Sequence, residues 1–245
     1  LRIALFSGNY NMVKDGANQA LNRLVEYLLR QGAAVRVYSP TIANPAFPAN
    51  CDLVSVPSIA IPGRPEYRWP LHVSARIRRD LEDFAPNIVH LSSPDWVARD
   101  AQKWAAACDI PVALSVHTQF EAYLGYYGLG FFKPMLVGYI RELYQKCDAV
   151  LAPTVLSAED LRRQAMSERV GIWSRGVDRE ILNPARRDMA WRRGLGIGDE
   201  EFVIGWLGRL VLEKGVERFC DTLDTLKSRG IPHRALIVGD GPARD

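Results

Sequence analysis

The chain has 245 residues, of which 48% are hydrophobic and 24% charged, and its formal net charge is +3. This composition is typical of a globular protein with one large or two medium domains, and the small charge gives no reason to expect nucleic acid as a partner. Four widely spaced cysteines form no Cys-x-x-Cys pair, which argues against a zinc site and favours a reducing compartment.

Short apolar runs alternate with helical patterns over the first 173 residues. Arg2 to Ser7 and Ala34 to Ser39 read as strands, and between them apolar side chains recur at helical spacing from Ala17 to Leu28, with Gly32 suited to the helix end. The same criteria predict strands at 53–56, 88–91, 112–116, 149–152 and 170–173, and helices at about 73–84, 95–108 and 133–146. A further helix is predicted to begin at the capping pattern Ser157-x-x-Asp160. Such alternation predicts an α/β fold with a parallel sheet covered by helices on both faces.

A second domain is predicted after a polar connection at residues 176–198. It begins with a strand at 202–207, a helix at 215–229 and a strand at 234–238. We therefore expect two domains, residues 1–180 and residues 181–245. Because one βαβ unit cannot bury both faces of its sheet, the second domain is expected to be incomplete in this chain.

Candidate site residues follow the predicted strands, at the carboxyl ends where parallel sheets bind ligands. Gly16 begins the first helix, where free amides can approach a phosphate, although a plain turn explains this glycine equally well. His117 and Thr118 directly follow a strand, and an imidazole there can hydrogen-bond a sugar hydroxyl, although a lone histidine is more often structural. His90 is also near a strand end, but its apolar neighbours favour packing in the core.

A second group of candidates lies in the predicted second domain. Arg209 and Lys214 offer donors suited to phosphate oxygens, and the helix that begins at Gly215 adds partial positive charge. A solvated turn is the alternative. Gly239-Asp240-Gly241-Pro242 follows the next strand and can shape a nucleotide pocket, although alone it is a weak turn signal. No Walker motif and no dinucleotide fingerprint occurs, which disfavours a nicotinamide dehydrogenase.

Two segments, residues 64–79 and 120–133, mix cations with aromatic side chains. Such segments suit a membrane interface or a lipid acceptor, but a solvated helix face with core aromatics is the competing interpretation. No apolar run reaches the length of a membrane span. The expected location is therefore cytoplasmic, with a peripheral contact at the inner face of the membrane left open.

The ordered motifs of the chain resemble the large GT-B family of retaining glycosyltransferases, glycosyltransferase family 4. The stretch that begins at His117 is similar to a branch containing diacylglycerol glycosyltransferases, sulfolipid synthases and GDP-mannose-dependent mannosyltransferases. The motifs that carry the resemblance are, in chain order, Asp15-Gly16-Ala17, Val89-His90-Leu91-Ser92-Ser93-Pro94, Val116-His117-Thr118, Pro153-Thr154, Ser174-Arg175-Gly176-Val177-Asp178, Gly208-Arg209, Glu213-Lys214-Gly215 and Gly239-Asp240-Gly241-Pro242.

This resemblance implies two Rossmann-like domains and transfer of a hexose from a UDP- or GDP-sugar, without a metal or other cofactor, to an acceptor that a lipid would suit. It implies that Arg209 and Lys214 bind the donor diphosphate, that Gly16 lies beside its distal phosphate, and that His117 contacts the donor sugar or the reaction centre. The other residues expected to line the cleft are Thr118, Glu213, Gly239, Asp240, Gly241 and Asp178.

The chain departs from the family's pattern at three places. The loop before the first helix has Asp15-Gly16-Ala17 instead of two glycines, Arg175 stands where asparagine is usual, and the family's paired-glutamate segment is expected after residue 245. The 245 residues alone are therefore expected to be inactive. Two other interpretations stay open: a sugar-nucleotide epimerase on the same fold, which needs no acceptor, and a non-catalytic nucleotide-sugar-binding module.

Overall fold

The computed structural model describes residues 1–61, 64–117, 130–211, 214–241 and 243–244, and only the backbone of residues 64–66. The chain divides into two compact units. Of the described residues, those up to 117 and those from 131 to 176 belong to the first unit, and most of the rest, from 177 onward, belong to the second.

The first unit is built on a sheet of seven parallel strands. The nine described strands of the unit, in chain order, are β1 (Arg2–Phe6), β2 (Ala34–Ser39), β3 (Asp52–Ser55), β4 (Ser58–Ile61), β5 (Arg64–Pro70), β6 (Ile88–Leu91), β7 (Val112–Ser115), β8 (Ala149–Ala152) and β9 (Val170–Ile172). All but β4 and β5 pair in parallel, in the order β3-β2-β1-β6-β7-β8-β9. The predicted parallel sheet is confirmed. Its order changes direction between β1 and β6, the switch point at which doubly wound sheets bind ligands.

The antiparallel hairpin of β4 and β5 was not predicted from the sequence. Its second strand, Arg64–Pro70, lies in the segment that we interpreted as a basic and aromatic surface. The sequence does not indicate this strand, because it contains two prolines and two arginines. Proline cannot donate a hydrogen bond to a β-ladder and occurs mainly at sheet edges.

Five helices of the first unit are described: α1 (Gly16–Arg30), α2 (Ala75–Phe84), α3 (Trp96–Ala107), α4 (Lys133–Gln145) and α5 (Val155–Arg163). Gly32 follows the end of α1 with a φ of 80°, as predicted. The predicted start of α5 is wrong, because the helix begins at Val155 and its cap is Thr154, whose hydroxyl accepts from the amide of Ser157 at 3.1 Å. Thr154 has the extended backbone that a cap requires, and it follows β8 closely.

The core of the first unit covers both faces of the sheet. In β1, Ala4 and Phe6 belong to one buried cluster, whereas Ile3 and Leu5 belong to another. Successive side chains of a strand point to opposite faces, so a strand covered on both sides is a continuous apolar run. This is why β1 was recognisable from its sequence.

The second unit contains strands β10 (Val203–Leu207) and β11 (Arg234–Val238), and helices α6 (Met189–Gly194) and α7 (Val216–Ser228). The strands pair in parallel, as predicted for one βαβ unit. Helix α6 lies in the stretch interpreted as a plain connection. No residue of α7 is buried, and 84% of Leu207 is exposed. The apolar side chains of this unit are therefore largely uncovered.

Candidate functional site at the carboxyl edge of the sheet

At the switch point, the loop after β1 is hydrogen-bonded to the start of α3. The amide of Gly8 donates to Ser93 Oγ at 2.8 Å, and the Ser93 hydroxyl donates to Asp95 Oδ2 at 2.6 Å. Asp95 also caps α3, since its Oδ1 accepts from the amide of Ala98 at 2.9 Å. A Cβ at residue 8 would lie 2.9 Å from the Asp95 carboxylate, so this close approach favours glycine.

Asp95 is a buried carboxyl group that the sequence analysis did not single out. Desolvation raises its pKa to about 6, against the opposing effect of its hydrogen bonds from Ser93 and from backbone amides. An Asp before an apolar helix is a recognisable cap signal. Its proximity to Gly8 was hidden, because that contact depends on β1 lying beside β6.

Three side chains form a hydrogen-bonded row across β6 and β7. Ser115 Oγ lies 2.9 Å from His90 Nε2 and 2.9 Å from His117 Nε2. A hydroxyl carries one proton, so Ser115 donates to one imidazole and accepts an N–H from the other. The tautomers of the two histidines are therefore linked through Ser115.

Burial keeps both imidazoles of this row neutral. Desolvation lowers the pKa of His90 to about 4, and His90 is only 6% exposed, which agrees with the expected packing in the core. Desolvation, with a smaller effect of the Arg175 cation, lowers the pKa of His117 to about 3. At neutral pH, His117 can therefore hydrogen-bond a ligand oxygen, but it carries no charge.

Arg175 reaches the end of β7 from the residues that follow β9. Its Nη2 donates to the carbonyl oxygens of Val116 at 3.0 Å and His117 at 3.1 Å. Its φ of 62° is left-handed, a conformation that costs about 1–3 kcal/mol in most residues and that asparagine tolerates better. The indole of Trp173 packs edge-on against the His117 ring, with centroids 5.5 Å apart.

Four buried polar atoms at the carboxyl edge of the first sheet have no hydrogen-bond partner in the described part of the chain. They are Asn9 Nδ2, Ser39 Oγ, His117 Nδ1 and Arg175 Nε. They occur at the ends of β1, β2, β7 and β9 or just after them. Buried polar groups are normally paired, so their concentration at the ligand-binding edge of a parallel sheet marks a candidate site.

Gly16 is the first residue of α1, in open space where an added Cβ would touch nothing within 4 Å. Asp15 caps this helix, its Oδ1 accepting from the amide of Asn18 at 2.8 Å. The first amides of a helix have no intrahelical acceptor and can bind an anion. The contact of Gly16 with a phosphate stays a prediction. The carboxylate of Asp15 lies immediately beside the predicted contact.

In the second unit, two glycines let the loops after β10 and β11 approach through their backbones. A Cβ on Gly239 would lie 1.8 Å from the carbonyl oxygen of Gly208, and one on Gly241 would lie 2.2 Å from that of Leu210. The amide of Leu210 donates to the carbonyl oxygen of Asp240 at 3.0 Å. The glycines of this motif are therefore required by the packing of one backbone on another.

The other predicted site residues of the second unit differ in their surroundings. Arg209 is half-buried and Lys214 is exposed, both in the loop between β10 and α7. Asp178 Oδ1 accepts from the amides of Glu180 and Ile181, each at 3.0 Å, and so closes a turn.

The last of these residues, Asp240, is exposed and lies 3.6 Å from Arg244. Thr118 and Glu213 are outside the described residues.

A groove of about 790 Å³ opens at the opposite edge of the sheet. It is lined by the start of β7 and by charged residues that include Arg99, Glu142, Lys146 and Arg169. Ligands of doubly wound sheets bind at the carboxyl ends of the strands. The buried unpaired atoms of β1, β2, β7 and β9 lie at this carboxyl edge, and the groove lies at the amino edge. Size alone therefore does not make this groove the candidate site.

The first unit has a doubly wound parallel sheet with its candidate site at the carboxyl ends of the strands, and this is the fold of GT-B glycosyltransferases. The structure of HepE from Anabaena in complex with UDP-glucose aligns with 98% of this chain and 60% of that chain, at a TM-score of 0.65 and 16% identity. The profile of Glycosyltransferase Family 4 matches residues 14–181. Because the match covers more than half of the chain, the protein belongs to this family, as the sequence motifs predicted.

Three curated relatives extend the family match over nearly the whole chain. The sulfoquinovosyl transferase SQD2 of Arabidopsis thaliana is 27% identical over 100% of this chain and 48% of its own length. A GDP-mannose-dependent alpha-mannosyltransferase of Mycolicibacterium smegmatis is 29% identical, over 100% and 64%. The alpha-monoglucosyldiacylglycerol synthase of Streptococcus pneumoniae is 22% identical, over 99% and 56%. The chain thus spans about half to two thirds of the relatives that it matches.

No helix of the described residues combines the length and the apolar composition needed to cross a bilayer. Within the same residues, no group of three or more His, Cys, Asp or Glu side chains is placed to hold a metal ion.

Proposed function

We propose that the protein is a retaining glycosyltransferase that moves a hexose from a UDP- or GDP-sugar to a lipid or lipid-linked acceptor. The observation that carries this proposal is the family match over residues 14–181, which includes Gly16, His117 and Asp178. The unpaired polar atoms at the carboxyl edge of the first unit support it, because they lie where such a fold binds ligands.

The donor diphosphate is assigned to the cations of the second unit. Arg209 supplies a planar fork of donors and Lys214 a point charge, both suited to phosphate oxygens. Gly215 precedes helix α7 and provides no side-chain cap, so the first amides of the helix remain available to an anion. Gly16, at the start of α1, is the proposed contact of the distal phosphate. Charge that develops on the leaving diphosphate would be stabilised by these groups.

His117 is proposed to hydrogen-bond the donor sugar. Its pKa of about 3 makes it a neutral group at physiological pH, so it positions the sugar and does not deliver a proton as an imidazolium. We propose that the acceptor proton goes to the leaving phosphate, with attack from the same face of the sugar. No metal is required in this scheme.

A lipid acceptor is supported by an exposed apolar segment at the start of α4. Phe131 is 73% and Met135 68% exposed, and Phe132 lies between them on the solvent side. Lys133 adds a cation to the same segment. Apolar side chains beside a cation suit the surface of an anionic bilayer, and we propose a peripheral contact there.

Nucleotide binding is the first test. The complete gene product would be heated with UDP, GDP, ADP or NAD at millimolar concentration. A ligand at about 100 times its dissociation constant stabilises a protein by about 2.7 kcal/mol. We expect stabilisation by UDP or GDP, lost in Arg209→Ala and Lys214→Ala and kept in the control Arg218→Ala on the exposed face of α7. Stabilisation by NAD alone, or by no nucleotide, would contradict the proposal.

Turnover then separates the competing interpretations. A glycosyltransferase releases UDP or GDP when a diacylglycerol acceptor is added, and NMR of the product gives the anomeric configuration. An epimerase converts the nucleotide-sugar without any acceptor. A binding module binds the nucleotide-sugar and produces neither outcome.

A further inference from the structure

We propose that Arg175 binds an oxyanion of a ligand, a phosphate, sulfonate or carboxylate group, at the carboxyl edge of the first sheet. The proposal rests on the candidate site at this edge and names the chemistry of its ligand. It stands whether or not the protein transfers a sugar.

Arg175 has N–H donors that make no hydrogen bond with the described residues. A guanidinium group has five N–H donors in a fixed plane. Within the described residues, Arg175 donates through Nη2 to the carbonyl oxygens of Val116 and His117. Its Nε is buried and has no acceptor in the described part of the chain. A strut between β9 and β7 needs only the Nη2 contacts and does not explain the burial of Nε.

Arg175 has no counter-charge among the described residues. Other arginines of this chain lie close to carboxylates, as Arg36 does to Asp80 at 3.1 Å and Arg99 to Glu142 at 3.0 Å. Arg175 is half-buried, and no carboxylate of the described residues is within ion-pair distance of it. Burial lowers the pKa of Arg175, and no carboxylate of the described residues raises it again. A desolvated cation without an anion is unfavourable, so a bound anion would restore the balance.

The backbone at Arg175 is strained. Arg175 holds a left-handed φ of 62°, and the next residue, Gly176, has a φ of 29°. Strained residues persist where the surrounding structure requires them, and they cluster at ligand-binding sites. Here the strained turn directs an arginine to the end of β7, at the position where the family usually has asparagine. Asparagine would relieve the strain but would carry no charge.

Arg175 is a neighbour of His117. Its cation is close enough to lower the pKa of His117, whose Nδ1 is also buried without an acceptor or donor in the described part. The Nε–H and Nη1–H donors that are not used in these contacts can each donate to an oxygen of an anion. An oxyanion held there would lie beside the imidazole that we assign to sugar binding.

Imidazole NMR of this chain can detect such an anion. The chain has four histidines, so long-range proton–nitrogen spectra resolve His117 without crowding. Inorganic phosphate, sulfate and acetate would be titrated at constant ionic strength, with chloride as the balancing anion. We expect a saturable shift of the His117 signals with phosphate or sulfate, in the millimolar range. The shift should be lost in Arg175→Gln and weakened at least tenfold in Arg175→Lys, because lysine has no second nitrogen that could donate in place of Nε.

The control is Arg179→Gln, an exposed arginine four residues further along the chain. It should bind phosphate as the wild type does. Unchanged amide spectra of the core strands would show that Arg175→Gln still folds. If His117 shows no saturable shift, or if Arg175→Gln binds phosphate as the wild type does, Arg175 is a structural strut and the proposal is wrong.

Three ligands distinguish the sources of the oxyanion. Glycerol 3-phosphate represents a lipid headgroup, glucuronate a sugar acid, and UDP the donor diphosphate. The ligand whose affinity falls most in Arg175→Gln identifies the source. Arg209→Ala should abolish UDP binding and leave phosphate binding at Arg175 intact, so failure of the donor-site assignment and failure of this inference give different results.

Discussion

The two units of the chain hold the loops at their strand ends by different means. In the first unit, buried side chains connect the loops: Ser115 bridges His90 and His117, and Ser93 bridges Gly8 and Asp95. In the second unit, Gly239 and Gly241 place one backbone directly against another.

The difference shows how each edge would respond to change. Buried side chains in the first unit lose solvation, so their pKa values move and the edge becomes sensitive to pH. Backbone contacts carry no titratable group, so the contact between the loops after β10 and β11 should respond little to pH and strongly to an added Cβ. Each of the following predictions tests one side of this contrast.

The largest effect is expected from Gly239→Ala. The new Cβ would lie 1.8 Å from the Gly208 carbonyl oxygen, and residue 239 has a φ of 149° that alanine rarely adopts. We expect the second unit to lose about 3–4 kcal/mol, at the upper end of single substitutions. The control is Gly205→Ala in β10, where a Cβ touches nothing within 4 Å and the change should stay within about 1 kcal/mol. Hydrogen exchange of the β10 and β11 amides measures both, and equal protection in the two variants would contradict the backbone contact.

The pH dependence of the first unit is the next effect in size. His90 and His117 have folded pKa values of about 4 and about 3, below the ordinary 6.5, so their contribution is present above pH 6.5 and lost as the pH falls. Asp95 acts in the opposite direction: its pKa is raised from 3.8 to about 6, so its contribution is lost as the pH rises through 6. The two histidines outweigh it, and the free energy of unfolding should fall by roughly 2–3 kcal/mol between about pH 7 and pH 5.

Urea unfolding of His90→Gln at both pH values tests this assignment. The variant should reduce the fall by about 2 kcal/mol, whatever it does to absolute stability. His72→Gln changes an exposed histidine and should leave the fall as in the wild type. A fall of the same size in His90→Gln would mean that His90 is not the buried neutral base described above.

The smallest effects concern the two helix starts. Asp15 caps α1 with its carboxylate, so Asp15→Ala should cost about 1 kcal/mol, while Asp15→Asn keeps the cap and should be nearly neutral. Gly215 precedes α7 with a φ of 78° and no side-chain cap, so Gly215→Ala should also cost about 1 kcal/mol, here through strain. Thermal unfolding of the variants measures both costs. A stabilised Gly215→Ala variant would contradict the left-handed conformation of that residue.

Local patterns predicted the elements of the sheet well and their exact ends less well. Arg234–Val238 was placed at its observed bounds, because an apolar run between turns has few alternatives. The start of α5 was misplaced, because Thr154 and Ser157 both offer a hydroxyl three residues ahead of a suitable amide. Which of the two residues caps the helix depends on where β8 ends, and the periodicity of the helix gives no information on the end of the strand. The β4–β5 hairpin was missed because its prolines and cations obscure the strand pattern.

The sequence by itself determined the alternation of strands and helices, the family, and the positions of Gly16, His117, Arg209 and Lys214 between the end of a strand and the start of the next helix or at that start. It did so because periodicity and turn residues are local properties of the chain. Only the tertiary structure decided which residues of different strand ends come into contact. Ser115 joins His90 across 25 positions and Arg175 reaches His117 across 58, since lateral strand order brings them together. That order is set by long-range pairing of apolar strands, which are alike in sequence, so local patterns cannot specify their neighbours.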